Sequence, residues 1–301
     1  MTPAHRILES VIRPAPIGLR FRDVATGLPV RDGLSVTVTP THNPGRKFAL
    51  ERNGNGVWFA HRFPGLNDEA LANTADWTGI AQPCRIEATD STGRFQPLVL
   101  DMDLPVRGLG EWPGWGALPA APLAPLAYTD TSISPPVSTI CTGQLALFSS
   151  AGRTAPAPLG EVRAQLARSD TGGPAAWALL TASHGGRVRG IGQADAKGSV
   201  VLFFAYPERP RPSLATSPPA ITDFRWSLDL TAYWNGLDLD VVPEFGAVMD
   251  QLNHPRDLFA DTRIAPPELL PSQLLSLGKP LVLRTGDTPD GPSSLLMMRA
   301  S

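Results

Sequence analysis

The chain has 301 residues, a formal net charge of −2 and 42% hydrophobic residues, which is typical of a soluble globular protein with room for two cores of ordinary size. Charged residues make up only 18%, whereas prolines number 32 and glycines 28, so short strands and turns are favoured over long helices. Without a basic cluster, the sequence gives no electrostatic reason to expect binding to nucleic acid or to an anionic membrane.

The sequence contains no recognisable secretion signal or membrane span. The first 16 residues mix isoleucine and valine with charges and prolines, and no apolar core of a signal peptide interrupts them. A run of about 18 apolar residues occurs nowhere in the chain. The sequence therefore predicts synthesis in the cytoplasm without a signal peptide and no insertion into a membrane.

The clearest structural pattern lies between Arg85 and Pro105, RIEATDSTGRFQPLVLDMDLP. The segment Asp90–Gly93 suits a hairpin turn, because aspartate can bind the backbone ahead of it and glycine adopts positive φ readily. After this turn, apolar residues occupy every second position from Leu98 to Leu104. This alternation is typical of a strand with one buried face.

The same design recurs between Ile191 and Pro207, IGQADAKGSVVLFFAYP, where Asp195–Gly198 takes the place of the turn. Two copies of one hairpin predict two β-domains. The segment from Phe224 to Thr231 alternates apolar and polar residues most cleanly and predicts a further strand. We therefore expect an all-β fold of two Ig-like or prealbumin-like antiparallel β-sandwich domains, joined by a proline-rich linker and followed by a short helix-plus-strand extension.

The predicted organisation has five parts. They are a leader (1–16), the first sandwich domain (17–105), a linker rich in proline, glycine and tryptophan (106–140), the second sandwich domain (141–235) and a C-terminal extension (236–301). In the extension, the segments Gly278–Thr285 and Ser294–Met298 predict a last pair of strands.

Two groups of apolar residues are candidates for an interaction surface. Trp112 and Trp115 lie in the linker, where indole rings are costly to leave in water, so we expect this segment to lie against a domain or a neighbouring subunit. A helix over 243–252 is predicted from apolar residues at i, i+3, i+4 and i+7. These residues are Phe245, Val248, Met249 and Leu252.

The two cysteines, Cys84 and Cys141, are too few for a disulfide scaffold and lack the spacing of a metal site. A bridge between them is conceivable because they flank the region between the two predicted domains. Free buried thiols are favoured, since secreted β-domains usually carry more cysteine pairs.

No catalytic or metal-binding motif rises above background, so the sequence predicts no catalytic, cofactor-binding or metal-binding residue. The pairs Asp101/Asp103 and Asp238/Asp240 can supply oxygen ligands for calcium or carboxylates for glycoside cleavage, but their strand spacing favours a solvated face. The segment Ser183–Gly186, SHGG, is more typical of a glycine-rich turn than of an oxyanion loop, because no G-x-S-x-G element occurs.

The first domain resembles a known family. The segments FRDVATGLPVRDGLSVTV, NGNGVWFAHRFPG and ATDSTGRFQPLVL are similar to the carboxypeptidase-regulatory-like or transthyretin-like β-sandwich, with a match over 18–104 and a looser one over 141–234. The whole arrangement, including LGKPLVLRT in the extension, is similar to structural accessory proteins of phage-tail-like extracellular contractile injection systems. That resemblance implies no catalytic residues.

These resemblances imply a non-enzymatic assembly protein of the baseplate, collar or fibre region, incorporated in an extracellular or released particle. It would bind other subunits, or further copies of itself, through sandwich edges, the linker and the C-terminal extension. The alternative is a carbohydrate- or cell-surface-binding module whose exposed tryptophans stack on glycans. Trp58, Trp77 and Trp234, besides the two linker tryptophans, are the candidates for that role. An enzyme ranks third.

Overall fold

The computed structural model describes most of the chain and shows an all-β protein. The described residues are 15–61, 63, 82–104, 128–129, 138–139, 145–156, 158–207, 224–237, 240–286 and 295–299. Within these residues, short strands form several mainly antiparallel sheets, and the one α-helix is short. The predicted all-β, sandwich-type fold is confirmed.

The strands are numbered in chain order. Those in the first part of the chain are β1 (Ile17–Leu19), β2 (Phe21–Asp23), β3 (Pro29–Val30), β4 (Leu34–Pro40), β5 (Phe48–Ala49), β6 (Glu51–Arg52), β7 (Trp58–Ala60), β8 (Gln82–Asp90), β9 (Leu98–Leu104), β10 (Tyr128–Thr129), β11 (Ser138–Thr139) and β12 (Leu145–Leu147). Those in the second part are β13 (Leu159–Arg168), β14 (Leu179–His184), β15 (Arg187–Gln193), β16 (Ser199–Ala205), β17 (Arg225–Tyr233), β18 (Pro255–Arg256), β19 (Phe259–Asp261), β20 (Glu268–Leu269), β21 (Gln273–Ser276), β22 (Leu281–Val282) and β23 (Leu296–Met298). Between β17 and β18 lie helix α1 (Phe245–Asp250) and a 3-10 turn (Gln251–Asn253).

Three sheets enclose the first hydrophobic core. The largest has the strand order β5-β4-β8-β9, and two three-stranded sheets, β1-β7-β6 and β12-β2-β3, complete it. Strand β9 alternates as its sequence predicts, with Leu98, Leu100 and Leu104 buried and Asp101 and Asp103 exposed. The alternation of apolar and polar residues in the sequence therefore predicted the buried face of this strand correctly.

The turn between β8 and β9 owes its shape to Asp90. Its carboxylate accepts hydrogen bonds from the backbone N–H of Thr92 (3.3 Å) and of Arg94 (2.6 Å). Gly93 follows in the left-handed region with φ of 70°, which glycine adopts without strain. The predicted hairpin is confirmed, because β8 and β9 pair antiparallel from Gln82↔Leu104 to Ala88↔Leu98.

The second copy of this turn has the same local chemistry but a different role. The Asp195 carboxylate accepts hydrogen bonds from the N–H groups of Lys197 (2.8 Å) and Ser199 (2.9 Å), and Gly198 has φ of 79°. However, β15 pairs with β14, and β16 pairs with β13. The prediction of a second paired hairpin was therefore wrong, since this turn carries the chain from one sheet to the other.

Strands β15 and β16 nevertheless approach each other closely, because β15 has glycine at two positions. A Cβ at Gly192 would lie 2.5 Å from the carbonyl oxygen of Val201, and one at Gly190 would lie 2.9 Å from the Phe204 ring. Any larger side chain would push the two sheets apart at this corner. Because glycine has no side chain, the two sheets can meet at this edge of the second sandwich.

The second hydrophobic core lies between a sheet centred on β13 and the five-stranded sheet formed by β14, β15, β17, β18 and β21. Strand β17 alternates, with Trp226 and Leu228 buried and Arg225 and Ser227 exposed, as predicted. Strands β22 and β23 confirm the predicted final strands and complete this sandwich. They do so by pairing parallel with β13, at Val162↔Leu281 and Leu166↔Leu296.

Strand β12 corrects the predicted domain boundary. It was expected to open the second domain, but it pairs parallel with β2, from Leu145↔Phe21 to Leu147↔Asp23. Leu145, Leu147 and Phe148 are buried in the first core. The chain thus returns to the first sandwich after the linker region before it enters the second. The division into two domains stays a prediction. Below, the first module means strands β1–β9 and β12 around the first core, and the second module means strands β13–β23 around the second core.

Helix α1 begins after Glu244, whose carboxylate caps it by accepting a hydrogen bond from Ala247 N–H at 3.1 Å. Together, α1 and the 3-10 turn cover most of the predicted 243–252 helix. Its apolar residues pack in the first core, where Leu179 and Ile191 of the second module's sheet join them. Buried Gln251 fixes the end of this region by donating to the Trp177 carbonyl at 2.7 Å. The helix therefore joins the two modules within one chain.

Candidate binding cleft and exposed apolar stretch

Three turns of the first sandwich meet at one end and form a cleft of about 230 Å³. The turns are Asp23–Gly27, Val30–Gly33 and Asp90–Phe95, and Arg153 closes the cleft from the segment after β12. The lining residues are Asp23, Thr26, Leu28, Pro29, Val30, Arg31, Asp32, Arg94, Phe95 and Arg153. We name this feature the arginine cleft.

A buried ion pair forms the floor of the arginine cleft. The Arg153 guanidinium donates two hydrogen bonds to the Asp23 carboxylate, at 2.9 and 2.6 Å. The side chains of Arg153 and Asp23 are only 10% and 7% exposed. Asp23 also accepts from Ala25 N–H and the Thr26 hydroxyl, at 2.9 and 2.8 Å. The pair is thus two-pronged and well satisfied, as a buried charge requires.

The Arg153 guanidinium also packs between two rings. It lies 4.9 Å from the centroid of Phe95 in the first module and 5.8 Å from that of Phe203 in the second. Arg163 of β13 donates to the carbonyl groups of Ala151 and Arg153, at 2.6 and 2.8 Å. These contacts fix the segment after β12 to both modules, so the ion pair has a structural role at their junction.

Arg94 holds the two outer turns of the cleft together. It donates to Asp32 at 2.9 Å and to Asp90 at 3.2 Å. Burial alone would raise the pKa of Asp90. Hydrogen bonds from Arg94 and Thr92 outweigh that effect and hold the pKa of Asp90 below its usual value.

Arg31 is the cation of the cleft that remains available. Its side chain is exposed, and no hydrogen bond or ion pair joins it to another described residue. Beside it, Leu28 is 64% exposed, and Pro29 and Val30 continue an apolar wall. Arg153 and Arg94 are already paired with Asp23, Asp32 and Asp90, so Arg31 alone is left to meet a negative charge on an apolar group bound in the cleft.

A second surface feature lies near the end of the chain. Six large hydrophobic side chains of the described residues are at least half exposed, and four of them fall between Ile264 and Val282. They are Ile264 (52%), Leu269 (55%), Leu274 (57%) and Val282 (50%). We call residues 264–282 the C-terminal apolar stretch. Leu274 lies on β21 and Val282 on β22, and exposed large apolar side chains such as these are candidates for contact with another protein.

The interaction surface predicted on helix α1 was wrong. Phe245, Val248, Met249 and Leu252 are between 0% and 4% exposed, because the helix uses its apolar stripe to join the two modules. Trp112 and Trp115 lie outside the described residues, as does Trp77. Among the other tryptophans, Trp58, Trp177, Trp226 and Trp234 are all buried. The four described indole rings therefore offer no surface platform for glycans.

The acidic and histidine candidates occupy ordinary structural positions. Asp101 forms a two-pronged ion pair with Arg85, at 2.8 Å for both contacts. His184 Nδ1 lies 2.8 Å from the Ser227 carbonyl oxygen. Asp240 is exposed, and Asp238 lies outside the described residues. Nowhere in the described ranges do three His, Cys, Asp or Glu side chains cluster as metal ligands would.

Cys84 is a free, buried thiol. Burial, and to a lesser degree the nearby charge of Asp103, raises the pKa of Cys84 to about 11. The thiolate is scarcely populated near neutral pH, which makes this thiol unreactive. Cys141 lies outside the described residues.

Comparison with protein-family models, with curated proteins and with solved structures finds no match to this chain. Its class therefore follows from its own architecture, which is an all-β, sandwich-type protein with two hydrophobic cores. In the part of the chain that the structure describes, no helix has the length and apolar character needed to cross a membrane.

Proposed function

We propose that this chain is a non-enzymatic structural protein that binds neighbouring subunits of a larger assembly. The observation that carries the proposal is the C-terminal apolar stretch, where four of the six exposed large hydrophobic side chains lie. Each exposed apolar side chain gains free energy when a partner removes it from water, by about 25 cal/mol for each Å² of apolar area.

The local structure supports this role for the stretch. In β21, Leu275 is buried in the second core, whereas the adjacent Leu274 points outward and is 57% exposed. The strand is thus anchored on one face and leaves an apolar residue on the other. Because pairing with β17 already orders the backbone at Leu274, little backbone entropy is lost when this side chain binds a partner.

The resemblance to accessory proteins of phage-tail-like contractile injection particles is consistent with this proposal. We propose such a particle as the assembly, with the chain in its baseplate, collar or fibre region. A sandwich-type protein offers sheet edges and loops for this kind of contact. The carbohydrate-binding alternative gains no support from the described tryptophans, since all four are buried.

The test compares the wild-type chain with a variant that carries both Leu274→Ser and Val282→Ser. Each chain is expressed in the native cells, and large particles are isolated by sedimentation and analysed by mass spectrometry. Val241→Ser is the matched control, because Val241 is 59% exposed and lies outside the C-terminal apolar stretch.

We expect the wild type and the control to co-sediment with other subunits, and the double variant to remain in the free fraction. Circular dichroism of each purified chain separates a lost contact from a lost fold. Recovery of the wild-type chain only as a free monomer would contradict the proposal.

A further inference from the structure

We propose that copies of this chain associate head to tail, with residues 264–269 of one copy seated in the arginine cleft of the next. The inference rests on the proposed assembly function and adds to it the identity of one partner, which is a second copy of the same chain. We call residues 264–269, which run from the turn after β19 into strand β20, the Glu268 loop.

The arginine cleft presents an apolar wall beside an available positive charge. Leu28 is 64% exposed, Pro29 and Val30 extend the wall, and Arg31 has no ion-pair partner among the described residues. Its volume of about 230 Å³ lies below the range of roughly 300–1,000 Å³ that is usual for small-molecule sites. The cleft therefore suits one or two side chains of a protein segment rather than a whole cofactor.

The Glu268 loop has the opposite charge and the same apolar character. Ile264 and Leu269 are 52% and 55% exposed, and the exposed Glu268 has no ion-pair partner among the described residues. The neighbouring Arg263 does not cancel this charge, because it is paired with Asp261 at 2.6 Å. Pro266 and Pro267 restrict the backbone, which lowers the entropy lost when the loop is bound.

Both halves of this contact occur on every copy, on different modules. The cleft belongs to the first sandwich, and the Glu268 loop follows β19 in the second. A contact between two different surfaces leaves a free cleft at one end of a pair and a free loop at the other. Repetition of the contact therefore builds a ring or a filament.

Charge reversal with purified full-length chain tests this contact. Sedimentation velocity is measured from about 1 to about 300 µM, because a contact made by a single loop is expected to be weak. Wild type should show a concentration-dependent rise in mass. Arg31→Glu and Glu268→Arg should each weaken self-association about tenfold, since like charges would then face each other.

Two combinations of these substitutions make the test specific, one as a mixture of chains and one within a single chain. A mixture of the two single variants should regain association, because the intact cleft of one then meets the intact loop of the other. The chain carrying both changes should self-associate to within about threefold of wild type, since the charge pair is restored in reverse. Arg187→Glu is the control, because Arg187 is exposed on β15 and belongs neither to the lining of the arginine cleft nor to the Glu268 loop, and it should have no effect.

Single variants that associate like wild type would overturn the inference, and so would a double variant as weak as the single ones. A wild-type chain that stays monomeric at every concentration would also overturn it. In that case, co-sedimentation of the chain with other subunits would still support the proposed assembly function, so the two failures are distinguishable.

Discussion

Arg153→Met removes the guanidinium from the buried ion pair at the floor of the arginine cleft and keeps an aliphatic side chain of similar reach. The two hydrogen bonds to Asp23, at 2.9 and 2.6 Å, are lost. Asp23 is then left as a buried carboxylate, since its side chain is only 7% exposed. Removal of one partner from such a pair costs about 3–5 kcal/mol.

The expected cost lies near the lower end of that range. Asp23 keeps its hydrogen bonds from Ala25 N–H and the Thr26 hydroxyl, and these partly compensate the charge. Even about 3 kcal/mol is a large part of the 5–15 kcal/mol that usually stabilises a domain. Packing of the arginine between Phe95 and Phe203 would also be weakened.

Urea denaturation followed by tryptophan fluorescence measures this loss. With a urea dependence of roughly 1–3 kcal/mol per M, the unfolding midpoint should fall by at least about 1 M. Asp32→Asn is the matched control in the same cleft, because Asp32 is 75% exposed in its pair with Arg94. Its effect should stay within about 1 kcal/mol. Equal effects of the two variants would refute the view that burial decides the strength of these pairs.

Three further predictions concern the packing and titration of the two modules. Gly192→Ala should destabilise the second sandwich by more than about 1 kcal/mol in urea denaturation, because its Cβ would lie 2.5 Å from the Val201 oxygen. Gly54→Ala, with nothing within 4 Å, should not destabilise, and a similar loss in both would count against the close approach of β15 and β16. The pKa of Asp90 is lower in the folded chain than its usual value, so its stabilisation is present above the unfolded pKa and is lost as pH falls through the folded one. Asp90→Asn should therefore make the free energy of unfolding fall less steeply as the pH is lowered. An unchanged dependence on pH would argue against this contribution. Cys84 should resist alkylation at neutral pH in the folded chain and react after unfolding, as peptide mapping by mass spectrometry would show; rapid labelling of the native chain would contradict its burial.

The local structure of the turns could be predicted from the sequence, but their role in the fold could not. Asp90 and Asp195 bind the backbone ahead of them in the same way, and the glycines that follow have similar φ values. Whether the flanking strands pair depends on contacts far along the chain. At the second turn, two glycines of β15 let it approach β16 without pairing, so the local pattern was identical and the topology differed.

The apolar stripe of helix α1 was predicted correctly, but its partner was not. Periodicity shows which face of a helix is apolar and gives no information about what covers that face. In the structure, the first core and two residues of the second module's sheet cover it. The helix face that was predicted to bind other proteins is therefore an internal contact.

The arginine cleft was missed for a related reason. Arg153 and Asp23 are separated by 130 positions, and no spacing rule connects them. The Asp-to-Gly pattern predicted the turn at Asp90–Gly93, but it did not predict that two other turns would meet it. The exposure of Leu274 beside buried Leu275 was also hidden, because two adjacent leucines do not indicate which one faces the core.

Hydrogen–deuterium exchange of the chain, free and within its isolated assembly, tests the central proposal most directly. Binding of neighbours through the C-terminal apolar stretch predicts slower exchange in peptides from residues 264–282 in the assembly, with little change at β8, which pairs with β4 on one side and with β9 on the other. Unchanged exchange across 264–282 in an assembly that contains the chain would contradict the account.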